Sequence, residues 1–154
     1  MTPEDFETYR FLRLYTIDFD TALHTLKVLC RYKKPDVQYP LLREVAVAYS
    51  RPFSKNHGEH LVSHMLSTKH VPTAAKPLHL ELLRLRNQQF AHTDIKFYAP
   101  KVADFGIAAK ASFPMSFKSY DYSQLLARVP EIQSLIEAVV VSLNKDITRE
   151  ERRF

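Results

Sequence analysis

The sequence predicts an all-α protein, an antiparallel bundle of four to five helices with a long ordered loop, roomy enough for a short hairpin, before the last helix. Three observations carry this expectation. Only two glycines, Gly58 and Gly106, occur in 154 residues, too few for a fold rich in tight turns or for a glycine-lined phosphate loop. Apolar residues recur at helical spacing through most of the chain. No repeat or low-complexity linker divides it, and a chain this long can bury roughly two thirds of its unfolded surface in one core. Residues 1–154 therefore read as one domain, with a charged tail at about 147–154.

The first helical region runs from Pro3, suited to a first turn behind Thr2, towards Tyr32, with Phe6, Tyr9, Leu12, Phe19, Ala22, Leu23, Leu26 and Cys30 on its apolar side. The stretch TIDFD, residues 16–20, is a point where it breaks or recaps. Pro35 and Pro40 close the connection, and PLLREVAVAYSRPF restarts a helix with Leu41, Leu42, Val45, Ala46 and Tyr49 on one face. After the loop SKNHG, GEHLVSHMLST reads as a short helix. PLHLELLRLRNQQFAH then supplies four turns of strong helix formers. Periodicity vanishes from Asp94 to Ser119, the ordered loop. The last helix begins near Asp121 or Ser123, kinks or restarts at Pro130, and continues through Ile132, Leu135, Ile136, Val139, Val140 and Leu143. The tail TREERRF either frays into solvent or offers Arg149, Arg152 and Arg153 to a nucleic acid.

Composition narrows the function. Lysine and arginine total 22 against 17 acids, a formal net charge of +5, which modestly favours polyanions such as RNA. The N-terminus MTPEDFETYRF lacks the marks of signal and transit peptides, and the longest apolar run, AVVV, falls far short of the roughly 20 residues of a membrane span. A cytoplasmic protein without membrane contact is expected. Cys30, the single cysteine, cannot form an internal disulfide and reads as a small buried hydrophobe in a reducing compartment, with a reactive thiol as the alternative. Nucleophile elbow, P-loop and dinucleotide fingerprint are absent.

The leucine helix is unusual because polar groups share its apolar side. With Leu78 at zero and about 100° per residue, Arg86 falls at roughly 80° and Gln89 at roughly 20°, inside the apolar arc that runs from Leu85 through Leu78 and Leu82 to Phe90 and Leu83. His79 lies beside Arg86, one heptad earlier. A guanidinium keeps its proton and resists desolvation, so Arg86 needs a carboxylate, a route for its head to water, or an anionic ligand. His92 follows six residues later, about 9 Å along and about 120° around a regular helix. The two converge only if the helix end unwinds or a second subunit brings its own pair. Alternatively, His92 bonds the last carbonyls of the helix. Together Arg86, Asn87 and His92 offer a cation for a phosphate, an orienting amide and an imidazole that exchanges protons near neutral pH, a set suited to phosphodiester cleavage without a metal or other cofactor.

RNQQFAH fits the R-x(4-6)-H signature of the HEPN superfamily (higher eukaryotes and prokaryotes nucleotide-binding), in which a polar residue, here Asn87, usually follows the arginine. The longer RNQQFAHTD resembles the abortive-infection and toxin branch, where the histidine often stands between an alanine and a small polar residue followed by an acid, here Ala91, Thr93 and Asp94. The resemblance implies a helical bundle, a homodimer whose motif helices face one another, and a metal-independent endoribonuclease of prokaryotic defence or toxin-antitoxin systems leaving a 2′,3′-cyclic phosphate. It makes His92 the acid/base, Arg86 the phosphate ligand and Asn87 a positioning group. Gln89, Arg84 and Lys96, beside the motif, are candidate substrate contacts. An antitoxin or a nucleotidyltransferase is the implied partner. Some members of the superfamily are non-catalytic, which leaves a nucleotide-binding, dimerisation or partner-binding module as the alternative.

Two further clusters present themselves. HGEHLVSH sets His60 and His64 at the four-residue spacing of a shared metal, with His57 nearby, but the order differs from H-E-x-x-H and no third ligand is evident, so a polar face is the competing reading. Phe113, Phe117, Tyr120 and Tyr122 either stack bases or pack beside the last helix.

Overall fold

The computed structural model describes residues 2–61, 63–90, 93–102 and 115–153, and most of these are helical. Helix α1, Pro3–Leu29, opens on a capping box in which Thr2 accepts from the Asp5 N–H at 3.1 Å and the Asp5 carboxylate accepts from the Thr2 N–H at 3.0 Å. TIDFD does not interrupt it. Phe19 and Ala22 are fully buried while Asp18 turns outward to Arg51 at 3.4 Å, and the Thr16 and Thr21 hydroxyls bond back to the carbonyls of Arg13 and Ile17. Cys30 caps the helix and is exposed, not buried as its apolar company predicts.

Helix α2, Pro35–Ser50, begins five residues before the predicted restart. Pro35 is preorganised for its first turn, and Pro40 lies inside it at the cost of one backbone hydrogen bond. Its face of Leu42, Val45, Ala46, Ala48 and Tyr49 has no solvent exposure. The Asp18–Arg51 pair and the Gln38 amide donating to the Tyr32 carbonyl fix α2 antiparallel to α1.

The described residues of GEHLVSHMLST form no α-helix. Three of its backbone N–H groups, from Glu59, His60 and Leu61, donate instead to the buried Glu7 carboxylate at 2.5, 2.9 and 2.6 Å, which removes them from any helical ladder. The loop is closed by an antiparallel bridge between Asn56 and His64. Burial pushes the Glu7 carboxyl up, and the three backbone donors outweigh it, so its pKa lies below the ordinary value.

Two 3-10 turns, Thr68–His70 and Thr73–Ala75, lead to α3, Lys76–Leu85, whose last turn widens into a π-helical turn, Arg86–Phe90. After the short α4, Ile95–Tyr98, the strands β1, Lys101–Val102, and β2, Met115–Ser116, pair antiparallel with Val102 opposite Met115. The hairpin admitted within the loop thus has its paired strands. Helix α5, Tyr122–Leu126, is capped by Asp121, and α6, Val129–Glu151, restarts with Pro130 in its first turn. Among the described residues no helix is long and apolar enough to cross a membrane.

α1 packs against both α2 and α6, and α3 with its π turn packs on α2. Ile132, Ile136, Val139 and Leu143 of α6 are fully buried. The fraying expected of the tail is corrected as far as Glu151: there α6 meets the start of α1, where the Tyr9 hydroxyl donates to Glu151 at 3.1 Å and Arg13 pairs with the same carboxylate at 3.7 Å. Arg149 pairs with Asp146, and Arg153 with Glu150 at 2.6 Å, so two of the three tail arginines are held by neighbouring acids.

Candidate functional site

The site is built on the junction of α3 and the π turn. Leu78, Leu82 and Leu85 face the core as predicted, and His79 joins them at 1% exposure. Its Nδ1 lies 2.8 Å from the Tyr49 hydroxyl and its ring meets Phe53 edge-on at 4.6 Å, while Nε2 is buried without a partner. Burial lowers its pKa and keeps it neutral, so the polar residue beside Arg86 belongs to the core.

From Arg86 the chain no longer follows α geometry. A π turn takes more residues per turn, with i→i+5 bonds, and such turns recur at functional sites. The angles calculated for a regular helix therefore do not hold beyond Leu85. Gln89 is buried, as predicted, with its Oε1 sealed and unpartnered. Arg86 is half-buried, Asn87 exposed. The Arg86 Nη1 donates to the Asn87 Oδ1 at 2.8 Å, and its Nε is buried without a hydrogen-bond partner. None of the ion pairs among the described residues includes Arg86. Of the three explanations for an arginine on this face, the internal carboxylate is the one the described residues do not supply.

Arg86, Asn87 and Gln89 thus share one turn, whereas His92 and Ala91 lie outside the described residues. Asp94, at the end of the motif, is the N-cap of α4 and accepts from the N–H groups of Lys96 at 2.8 Å and Phe97 at 3.3 Å. The side chains of Arg84 and Lys96 are exposed on either side of the turn.

Two residues that the motif did not single out hold the turn. Arg43 of α2 donates to the Phe90 carbonyl at 3.0 Å with its guanidinium 5.6 Å from the Phe90 ring centre, and the Tyr98 hydroxyl donates to the Gln89 carbonyl at 3.3 Å. Phe90 is further stacked on Tyr122, which stacks on Tyr39 in turn. Tyr120 meets Phe90 edge-on, so both tyrosines of the aromatic cluster contribute packing. Burial raises both of their pKa values, keeping the phenols protonated. Phe117 stands 62% exposed, and Phe113 lies outside the described residues.

Between the π turn, α4 and β2 lies an open cleft of about 860 Å³ lined by Gln89, Tyr98, Met115, Phe117, Lys118 and Tyr120, among others. Ala99, between the lining residues Tyr98 and Pro100, is in a left-handed conformation, φ 40°, ψ 59°, a strained position for a residue with a Cβ.

His64 and His70 are committed elsewhere. His64 stacks on Phe11 at 4.8 Å with its Nδ1 2.8 Å from the Tyr15 hydroxyl, and burial lowers its pKa. His60 lies outside any helix and His64 in the bridge with Asn56, so the two do not share a helical face, and the described residues hold no group of three potential ligands for a metal. His70, unnoticed in the sequence, is 4% exposed between Ser142 at 2.9 Å and Asp146 at 3.4 Å. Compared with known proteins, the chain matches no family model, no curated protein and no solved structure.

Proposed function

We propose that this chain is a HEPN-type, metal-independent endoribonuclease of a prokaryotic defence or toxin-antitoxin system, acting in the cytoplasm as a homodimer. One observation carries the reading: Arg86 stands half-buried on a π turn, hydrogen-bonded to Asn87 and with no ion pair among the described residues, so its charge is available to an anion. The motif RNQQFAH supplies the rest of the chemistry.

In the proposed reaction Arg86 binds the scissile phosphate and stabilises the charge that builds on its oxygens. Asn87 orients the guanidinium through its Oδ1. The RNA 2′-oxygen attacks phosphorus and loses its proton to a base, the P–O5′ bond breaks, and an acid protonates the departing O5′. The products are a 2′,3′-cyclic phosphate and a 5′-hydroxyl, with His92 as the group that exchanges the protons. Arg43 and Tyr98 keep the turn in place beneath this chemistry.

Product analysis tests the class of reaction. Incubation of purified protein with RNA in EDTA should yield 2′,3′-cyclic phosphate ends. Absence of cleavage, or 3′-hydroxyl ends that require a divalent metal, would reject the proposal. A non-catalytic nucleotide-binding module, favoured only by the aromatic cleft, predicts nucleotide binding with intact RNA.

A further inference from the structure

Phosphate chemistry at Arg86 leaves unexplained the cleft that begins three residues further along the same turn. Its walls are aromatic and apolar: Tyr98, Phe117 and Tyr120, with Met115 beside them. Phe117 and Met115 are 62% and 50% exposed, although neither carries a charge that would favour solvent. Of the described residues that line it, Gln89 is the one that is buried, by more than nine-tenths, its Oε1 without a donor. A buried acceptor left unpaired is costly, and the terminal torsion of a glutamine is soft enough to present either amide atom to the cleft. Lys118 lines the same space.

A flat heterocycle with an N–H on its edge, attached to a phosphate, satisfies all of these features together. We infer that the cleft is the base subsite for a nucleotide flanking the scissile phosphate, with the base stacked on the aromatic wall and an edge N–H donated to the Gln89 Oε1. A lipid chain would fill the apolar wall but, having no N–H, leave the Gln89 acceptor unmatched. The assignment of this subsite to RNA cleavage rests on the ribonuclease reading, whereas base binding does not.

The test is calorimetric titration of wild-type protein with adenosine 5′-monophosphate, purine riboside 5′-monophosphate, which lacks only the amino group, and ribose 5-phosphate. None has a 3′-phosphodiester, so catalysis cannot enter. Ribose 5-phosphate should bind about tenfold or more weakly than adenosine monophosphate, for want of stacking. Purine riboside monophosphate should bind about tenfold more weakly, for want of the donor. Gln89→Leu, close in volume, should bring the two purine nucleotides within about twofold of each other. Phe117→Ala, at an exposed site, should weaken both about equally with Tm unchanged. Equal binding of adenosine monophosphate and ribose 5-phosphate, or an undiminished preference in Gln89→Leu, overturns the inference. If nucleotides fail these tests while Arg86-dependent cleavage persists, the base subsite falls and the ribonuclease reading stands; base binding without any RNA cleavage upholds the subsite and removes the ribonuclease reading.

Discussion

Arg43 reaches from α2 to the Phe90 carbonyl at 3.0 Å and lays its guanidinium 5.6 Å from the same residue's ring centre. One side chain thus satisfies a backbone acceptor at the end of the π turn and packs on the residue that closes it. Arg43→Met keeps much of the stem but removes both interactions. We expect a stability loss of about 1 kcal/mol and a fall in Tm of about 3 °C, with RNA cleavage reduced by more than the stability change explains. Calorimetry and initial cleavage rates on the same preparation check this. Unchanged cleavage would detach the turn's geometry from function.

Ala99 sits in left-handed backbone at φ 40° directly before Pro100. Ala99→Gly removes the Cβ conflict but adds freedom to the unfolded chain, and the first effect is the larger. The variant should be more stable by about 0.5–1 kcal/mol, read as a rise in the denaturant midpoint with an unchanged slope.

The clamp between Glu7 and the loop at Glu59–Leu61 makes a pH-dependent prediction. The folded pKa of Glu7 lies below its ordinary value of 4.5, so the clamp stabilises the protein above pH 4.5 and fails as pH falls through the folded value. Glu7→Gln, which puts an NH₂ where an acceptor is needed, should be less stable than wild type at pH 7, and the gap should shrink in acid. Gly58→Ala attacks the same contact sterically. A Cβ there would lie 2.7 Å from the Glu7 carboxylate, and Tm should drop by about 5 °C.

His64, His70 and His79 all have pKa values lowered from 6.5, in each case first by burial, with Lys69 and Arg149 adding repulsion at His70. The unfolded chain therefore binds protons that the folded one refuses. Stability should be fully present above pH 6.5 and decline as pH falls through the folded values. Histidine titrations followed by NMR should give three midpoints below 6.5; midpoints above it would contradict the burial described for these rings.

The fold was legible where periodicity governs it. The Thr2 cap, the α2 face, the leucine face of α3 and the break at Pro130 all follow from residue spacing. TIDFD misleads because its acids fall on the solvent side of α1 while Phe19 keeps the buried phase. HGEHLVSH misleads because Glu7, 52 positions before Glu59, takes the N–H groups that a helix would use, and no local pattern announces that. The site was half legible. Arg86 and Gln89 stood out as polar groups on an apolar arc, but i→i+5 geometry has no residue signature, and Arg43 reads locally as a solvent-facing charge.

Whether Arg86 and His92 carry the chemistry is decided by the cleavage rates of Arg86→Ala and His92→Ala, measured against wild type on one RNA in EDTA, with circular dichroism and Tm as controls for folding. Rates at least about 100-fold lower are expected in both variants, with spectra and Tm close to wild type. Cleavage by either variant at the wild-type rate would take that residue out of the reaction and the ribonuclease assignment with it.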